Sequence, residues 1–364
     1  MSPSSLAPEA TRVSPEGRRA GRAAGRARWR VDLAGLWLAA AAAGWTYVAA
    51  ARSGGDPGPV AGMFLASAAA LVAARLLGSA GRGLVPAAVV AVAALLVLRA
   101  PDDLLRTAPL SGPFGYNNAT AGFMVQAAVA ALMLATLVRW APVRLAAVAG
   151  AIAFGIIPFA IGSLAGAIPL VVLAVASLAW SRGGPRAAIV AAGAVFGAAL
   201  AATVVLGALY GGGERTSRVD RAIDETLSER RVVLWHDALA IMGEQPLAGV
   251  GPGRFREVSP TALDDRDAVW AHQGFLQQGA EQGVVGFALL TLLFSWGFAR
   301  LWTRRHPGAL AVLGAVALAV LGIHASIDYV LHFPAIPIAA AGLLGTAIGP
   351  FHGRRRRGRR VVAP

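Results

Sequence analysis

Apolar runs, each about as long as a bilayer is thick, follow one another along most of this chain and leave little choice of fold. A helix needs roughly 17–25 apolar residues to cross the hydrocarbon core, because every backbone N–H and C=O there must be satisfied within the segment. Such runs lie near 31–51, 58–78, 84–99, 119–138, 145–161, 164–180, 187–209, 284–301, 308–327 and 334–350. The third is short. Only Ile161-Gly-Ser163 separates the fifth from the sixth, so that turn is tight, and Pro158 and Pro169 bend the two helices. The expected fold is all-α: a polytopic membrane protein of about ten transmembrane helices with one large extracytoplasmic loop. The first run resembles a signal peptide only in position. It is too long, and nine more follow, so it reads as a retained anchor.

Composition agrees. The chain is 56% hydrophobic and 14% charged, a balance that soluble domains rarely reach. It has no cysteine, which rules out disulfides and zinc–thiolate sites. Every one of its 33 basic residues is arginine, and the net charge is +14. Arginines crowd both tails, from Arg12 to Arg30 and from Arg354 to Arg360. Basic tails can bind nucleic acid; beside transmembrane spans they more often fix topology and touch anionic lipid, so membrane lipid is the expected partner and nucleic acid is not.

With both tails inside, the inner loops hold Arg82, Arg139, Arg144, Arg182, Arg186, Arg300, Arg304 and Arg305, as the positive-inside rule requires. This places the chain in the cytoplasmic (inner) membrane with both termini cytoplasmic. It divides into a basic tail (1–30), helices one to seven (31–209), an extracytoplasmic catalytic loop (210–283), helices eight to ten (284–350) and a second basic tail (351–364).

The 210–283 loop carries twelve of the 19 acidic residues, so it meets water. Val232, Trp235, Leu239 and Met242 recur every three or four residues, one face of a helix that Gly243 and Pro246 end. Arg230 and Arg231 open that helix. Arginine presents a planar fork of donors matched to phosphate oxygens, although a solvated pair is the commoner outcome. Gly249-Val-Gly-Pro-Gly253 lets backbone come close to a ligand, or makes a plain turn. His272 precedes a short helix leading into the eighth span. It is either a general base or a hydrogen-bonded surface histidine. Asp265-Arg-Asp267 and Asp102-Asp103 have the form of carboxylate pairs that hold divalent ions, but such pairs are frequent in solvated loops, and no metal site is assigned. Asn117, Asn118 and Asp328 lie where spans meet the outer surface. Polar groups there either cap helices or face a cavity.

Taken in order, these residues resemble the O-antigen ligase and polymerase family. The resemblance rests on Arg231 and Trp235; Pro246, Leu247, Gly249, Gly251, Gly253 and Phe255; His272, Phe275 and Leu276; and Glu281 and Gly283. Upstream, Gly112-Pro-Phe-Gly-Tyr-Asn-Asn118 looks like that family's segment before a helix, and downstream Ser326-Ile-Asp328 through Pro334 looks like its Ser…Asp…Pro stretch. The resemblance implies a GT-C-like fold and an inverting glycosyltransferase. Such an enzyme moves a glycan from a polyprenyl-diphosphate carrier to a glycan, lipid or protein acceptor outside the cytoplasmic membrane, without metal or other cofactor. It maps the family's catalytic arginine and histidine onto Arg231 and His272. Substrate contacts are expected from Arg230, Trp235, Gly251, Gly253, Arg254, Asn118, Glu281 and Asp328. Two departures stand out. Leu164 occupies the place of a second family arginine, for which Arg230 or Arg254 could substitute, and Gln273 stands where asparagine is usual. The competing readings are a non-catalytic component of envelope glycan assembly and a transporter or flippase. The latter expects ionisable groups near mid-membrane, and the spans hold few.

Overall fold

The structure is a computed structural model that describes residues 15–101, 112–163, 166–210, 229–264 and 268–351. Its elements are α1 (Pro15–Ser53), α2 (Gly58–Leu76), α3 (Leu84–Arg99), α4 (Asn117–Leu137), α5 (Ala141–Ala160), α6 (Ala167–Tyr210), α7 (Glu229–Glu244), α8 (Phe255–Val258), α9 (Pro260–Asp264), α10 (Gly274–Trp302), α11 (Ala309–Ile327), a 3₁₀ turn (Val330–His332) and α12 (Ala335–Ile348). Among the described residues, seven helices are long and apolar enough to cross a membrane, and α3 and α12 are shorter apolar helices. Among the described residues every regular element is helical.

α6 is too long for one crossing, and it turns back on itself. Gly184 adopts φ 72° and ψ −169°, with Pro185 beside it. Ile168, near the start of α6, packs with Ile161, while Gly207 near its end abuts Trp235. Arg186, at the turn, donates to the carbonyls of Arg304 and Arg305 at the opposite end of the bundle. The polar break Ser181-Arg-Gly-Gly-Pro-Arg186 separates two apolar runs at this turn.

Close helix approach comes from small residues, the usual means where lipid removes any hydrophobic preference for one apolar face over another. A Cβ on Gly314 would collide with Ala347 of α12, and one on Gly322 with the ring of Phe196 in α6. α11 is the central helix, with Ala311 and Gly314 through Ser326 all buried.

Charges inside the bundle are paired. Asp32 of α1 accepts from Arg75 of α2 (2.6 Å) and from Arg300 of α10, and all three are buried. Burial of a lone carboxylate is costly, so this pairing ties together three helices distant in sequence.

The described part of the polar segment between the seventh and eighth apolar runs, 229–264 and 268–283, is a folded cap. α7 buries Val232, Leu234, Trp235, Ala238 and Ile241 against Phe255, Leu276 and Ala280. Its buried face is wider than the spacing predicts, and Leu239 and Met242 are only half-buried at its edge. Asp237 fixes the next element: its Oδ2 accepts from Ser259 Oγ (2.5 Å) and from the N–H of Thr261 (3.0 Å), at the start of α9. α10 starts at Gly274, turns at Gly283 (φ 70°), and continues as an apolar helix to Trp302. The short helix expected after His272 is its first part.

Candidate active site

One carboxylate organises the end of the bundle under the cap. Asp328 follows the last residue of α11 and is 1% exposed. Its Oδ2 accepts from Tyr116 Oη (2.7 Å) and Asn118 Nδ2 (2.5 Å), and lies 3.3 Å from Arg231 Nη2. Its Oδ1 accepts from the N–H of Tyr329 (2.7 Å) and lies 3.5 Å from His272 Nδ1. Residues from the starts of α4 and α7, the bend before α10 and the end of α11 thus meet on a single side chain. Burial opposes ionisation of Asp328, but His272, Arg231 and His324 outweigh it and hold the carboxyl well below its usual range. Burial, with the carboxylate beside them, pushes Tyr329 up to about 12 and Tyr116 up as well, so both phenols keep their protons near neutral pH.

Arg231 also donates through Nη1 to the carbonyl of Ile327 (3.2 Å), one of the unsatisfied groups at the C-terminus of α11. These two contacts leave part of a guanidinium with five N–H donors unused, and its side chain is 25% exposed. It is therefore fixed at one edge and open at another.

His272 has φ 50°, and among the described residues it is the only non-glycine with positive φ. That conformation costs on the order of 1–3 kcal/mol and persists where the surroundings over-determine it. Here they do. Trp235, fully buried, donates from Nε1 to the carbonyl of His272 (3.2 Å). The N–H of Ala271 is held by Gln277 Oε1 (2.6 Å). Gln273 caps α10 by accepting from the N–H of Leu276 (2.7 Å), and its Nε2 reaches Thr203 Oγ1 (3.1 Å). The imidazole stands edge-on to Tyr329, with ring centroids 4.7 Å apart. Nδ1 is buried facing Asp328, so the 18% exposure of the side chain belongs to its other atoms.

Tyr116, Tyr329, Ser163 and Trp270 belong to this place and were not singled out from sequence. Ser163 Oγ donates to Asn118 Oδ1 (2.7 Å), and Asn118 Nδ2 also reaches Tyr116 Oη (3.0 Å). Asn118 is thereby held by side chains around the site and has no capping role. Tyr116 stacks on Tyr329 at 4.8 Å, and Trp270 lies against His332 at 4.0 Å, making an aromatic wall beside the histidine. The available signal was position: two of the chain's four tyrosines adjoin Asn117-Asn118 and Asp328.

The remaining expected contacts lie elsewhere. Gly251 does not face open space. Its N–H donates to the carbonyl of Glu281 (2.9 Å), and a Cβ there would collide with the backbone of Gly54. Val250 N–H bonds Ala280 O (3.0 Å), Val284 N–H bonds Pro246 O (2.8 Å), and Ser53 Oγ donates to Gly249 O (2.8 Å). Gly249 and Gly251 let three stretches of backbone touch one another. Gly253 is exposed, with no atom near the position of its absent Cβ. Arg254 donates to Ser53 O and to Glu257 (2.7 Å), on the α1 side of the cap and away from Asp328. Arg230 is exposed at the start of α7. Glu281 is buried, accepts from Gln277 Nε2 (2.6 Å) and the N–H of Phe255 (3.3 Å), and lines a cavity shared with Gln278, His332 and Pro334. Trp235 is fully buried, with its indole N–H on the His272 carbonyl. Leu164, Asp102-Asp103 and Asp265-Arg-Asp267 lie outside the described residues.

Residues 149–291 match the family described as O-Antigen ligase. This stretch is an O-antigen ligase family domain. No curated protein matches the chain. The domain includes Arg231, Trp235, the glycine loop, His272 and Glu281, and the fold brings to it Tyr116 and Asn118 from before the matched stretch and Asp328 from after it. The matched domain points to a membrane glycan enzyme of the O-antigen ligase and polymerase type.

Proposed function

We propose that this protein is an inverting glycosyltransferase that moves a glycan from a polyprenyl diphosphate to an acceptor hydroxyl, with Arg231 at the diphosphate and His272 as base. The carrying observation is that both side chains engage Asp328 while each keeps an exposed edge. A carboxylate facing Nδ1 favours the tautomer with its proton there, leaving Nε2 to accept one. The acceptor oxygen bonds to the anomeric carbon as the carbon–oxygen bond to the diphosphate breaks. The hydroxyl proton goes to His272, and the bonding electron pair leaves with the diphosphate beside Arg231. Most of the work is positioning and charge stabilisation, because the diphosphate is already a good leaving group. On this reading Asp328, Trp235 and Asn118 are positioning residues. Neither a metal nor another cofactor is assigned a part.

A lipid carrier suits the surroundings. An apolar cavity between α1, α2, α10, α11 and α12 shares Met63 and Leu331 with the cavity beside Glu281 and His332, giving hydrocarbon a place next to the polar end. We also infer ten crossings, with α6 counted as two and α3 and α12 included. Arg75, Arg82, Arg186, Arg300, Arg304 and Arg305 gather at the end opposite the site, so the site end is outside the cytoplasmic membrane and both termini are cytoplasmic.

The test uses purified wild type, His272→Ala and Arg231→Ala with a panel of polyprenyl-diphosphate oligosaccharides and host envelope acceptors, followed by mass spectrometry. Transfer by wild type that is lost in both variants supports the reading and identifies the acceptor. Transfer that survives either substitution removes that residue from the mechanism.

A further inference from the structure

Among the described residues, the end of the bundle opposite the site carries more positive charge than its carboxylates compensate. Asp32 is the one carboxylate described there, and Arg75 and Arg300 already share it. Two further arginines stand close by. Arg82 donates through Nε to the carbonyl of Thr346 (3.2 Å), near the end of α12. Arg304 follows α10. The absent Cβ of Gly349 would lie 3.0 Å from Arg82 Nη2 and 3.9 Å from Arg304 Nη1, so the two guanidinium groups converge on one glycine. Arg304 Nη1 is shut off from solvent and has no hydrogen-bond acceptor among the described residues. Both side chains are otherwise half-buried, with an open side. Arg186 adds another cation at the carbonyls of Arg304 and Arg305.

Two converging cations, one with a buried donor lacking an acceptor, are an unfavourable arrangement for a protein alone. Burial and the neighbouring Arg82 and Arg300 push Arg304 down to about 10, and burial lowers Arg82 as well. An anion between them removes the repulsion and supplies the acceptors. The place is also suited to one kind of anion. It is flanked by apolar α3, α10 and α12 at the arginine-rich end; on the topology proposed above this is the cytoplasmic headgroup level, where basic pockets between membrane helices favour anionic phospholipid. Arginine's donor fork matches phosphate oxygens.

We propose that Arg82 and Arg304, around Gly349, form a binding site for the phosphate of an anionic phospholipid.

The test is a thermal-denaturation titration of the delipidated full-length protein in neutral detergent. The probes are cardiolipin, phosphatidylglycerol, phosphatidylcholine and inorganic phosphate. Cardiolipin or phosphatidylglycerol should raise the midpoint saturably, while phosphatidylcholine should not. Arg82→Gln and Arg304→Gln should each weaken the apparent lipid affinity by about tenfold, the loss of one charge-assisted contact. Arg182→Gln, at an exposed arginine near the Gly184 turn, should leave it unchanged. Without lipid, Arg304→Gln should melt no lower than wild type, because it removes a cation lacking compensation; this separates loss of binding from loss of fold. Arg304→Lys should restore part of the affinity. An equal response to inorganic phosphate would overturn the lipid as source, and equal lipid responses in wild type and both glutamine variants would overturn the site.

Discussion

Asp328 Oδ1 lies 3.5 Å from His272 Nδ1, while its other oxygen lies 3.3 Å from Arg231 Nη2. One buried carboxylate therefore sets the orientation of a candidate base and a candidate phosphate ligand together. Asp328→Asn keeps the size of the side chain and removes its charge. Glycan transfer should fall on the order of a thousandfold, the scale of losing an oriented general base. Initial rates measured with folded, monodisperse variant decide it, and a loss below tenfold would exclude this arrangement from catalysis.

Asn118→Asp makes the opposite change. It places a second carboxylate where Asn118 Nδ2 now sits 2.5 Å from Asp328 Oδ2. Two carboxylates so close share a proton, and one titrates well above its usual range. The variant should therefore lose activity relative to wild type as pH rises from about 5 to 8. A variant-to-wild-type rate ratio that stays flat across that range would refute the proposed contact.

The glycine loop allows a paired comparison. Gly251 and Gly253 have φ 101° and 77°, so alanine strains both. Only at Gly251 does a Cβ collide with backbone, that of Gly54. Gly251→Ala should cost about 3 kcal/mol or more and Gly253→Ala about 1 kcal/mol. Thermal or denaturant unfolding in detergent measures the difference; equal losses would mean that the loop does not depend on the backbone contact.

His332 predicts a pH dependence of stability. Burial lowers its pKa from 6.5 to about 4, with the Tyr329 carbonyl and Asp328 opposing the shift less strongly. Between those values the unfolded chain binds a proton that the folded chain does not. Its contribution is therefore complete above about 6.5 and is lost as pH falls towards 4, at a scale of roughly 2–3 kcal/mol. His332→Phe should flatten the fall in melting temperature over that window. An unchanged slope would show that His332 does not control it.

Local pattern carried most of the helical architecture. The run at 84–99 coincides with α3 because an apolar stretch between Gly83 and Ala100 has one way to satisfy its backbone in lipid. The kink within α6 is marked by Arg182, Gly184, Pro185 and Arg186, a polar break between two apolar runs. The site was legible as separate pieces. Arg231, His272 and Asp328 each stood out as polar residues bordering apolar runs, but their meeting depends on how α11 ends under α7, which no local pattern encodes. Gly251 shows the same limit. Sequence reveals that something must come close to Gly251 without revealing that it is Gly54.

The Asp32 ion cluster has a consequence for how the chain enters the bilayer. Asp32 and Arg75 lie 43 residues apart, whereas Asp32 and Arg300 are separated by 268. At synthesis rates of roughly 5–20 residues per second, Arg75 follows Asp32 within several seconds and Arg300 arrives later. The first two helices thus carry the Asp32–Arg75 pair between them, so this carboxylate can be compensated as soon as the second helix is made. Arg300 closes the cluster only when α10 docks, so a late stage of assembly is checked against a charge laid down at the first.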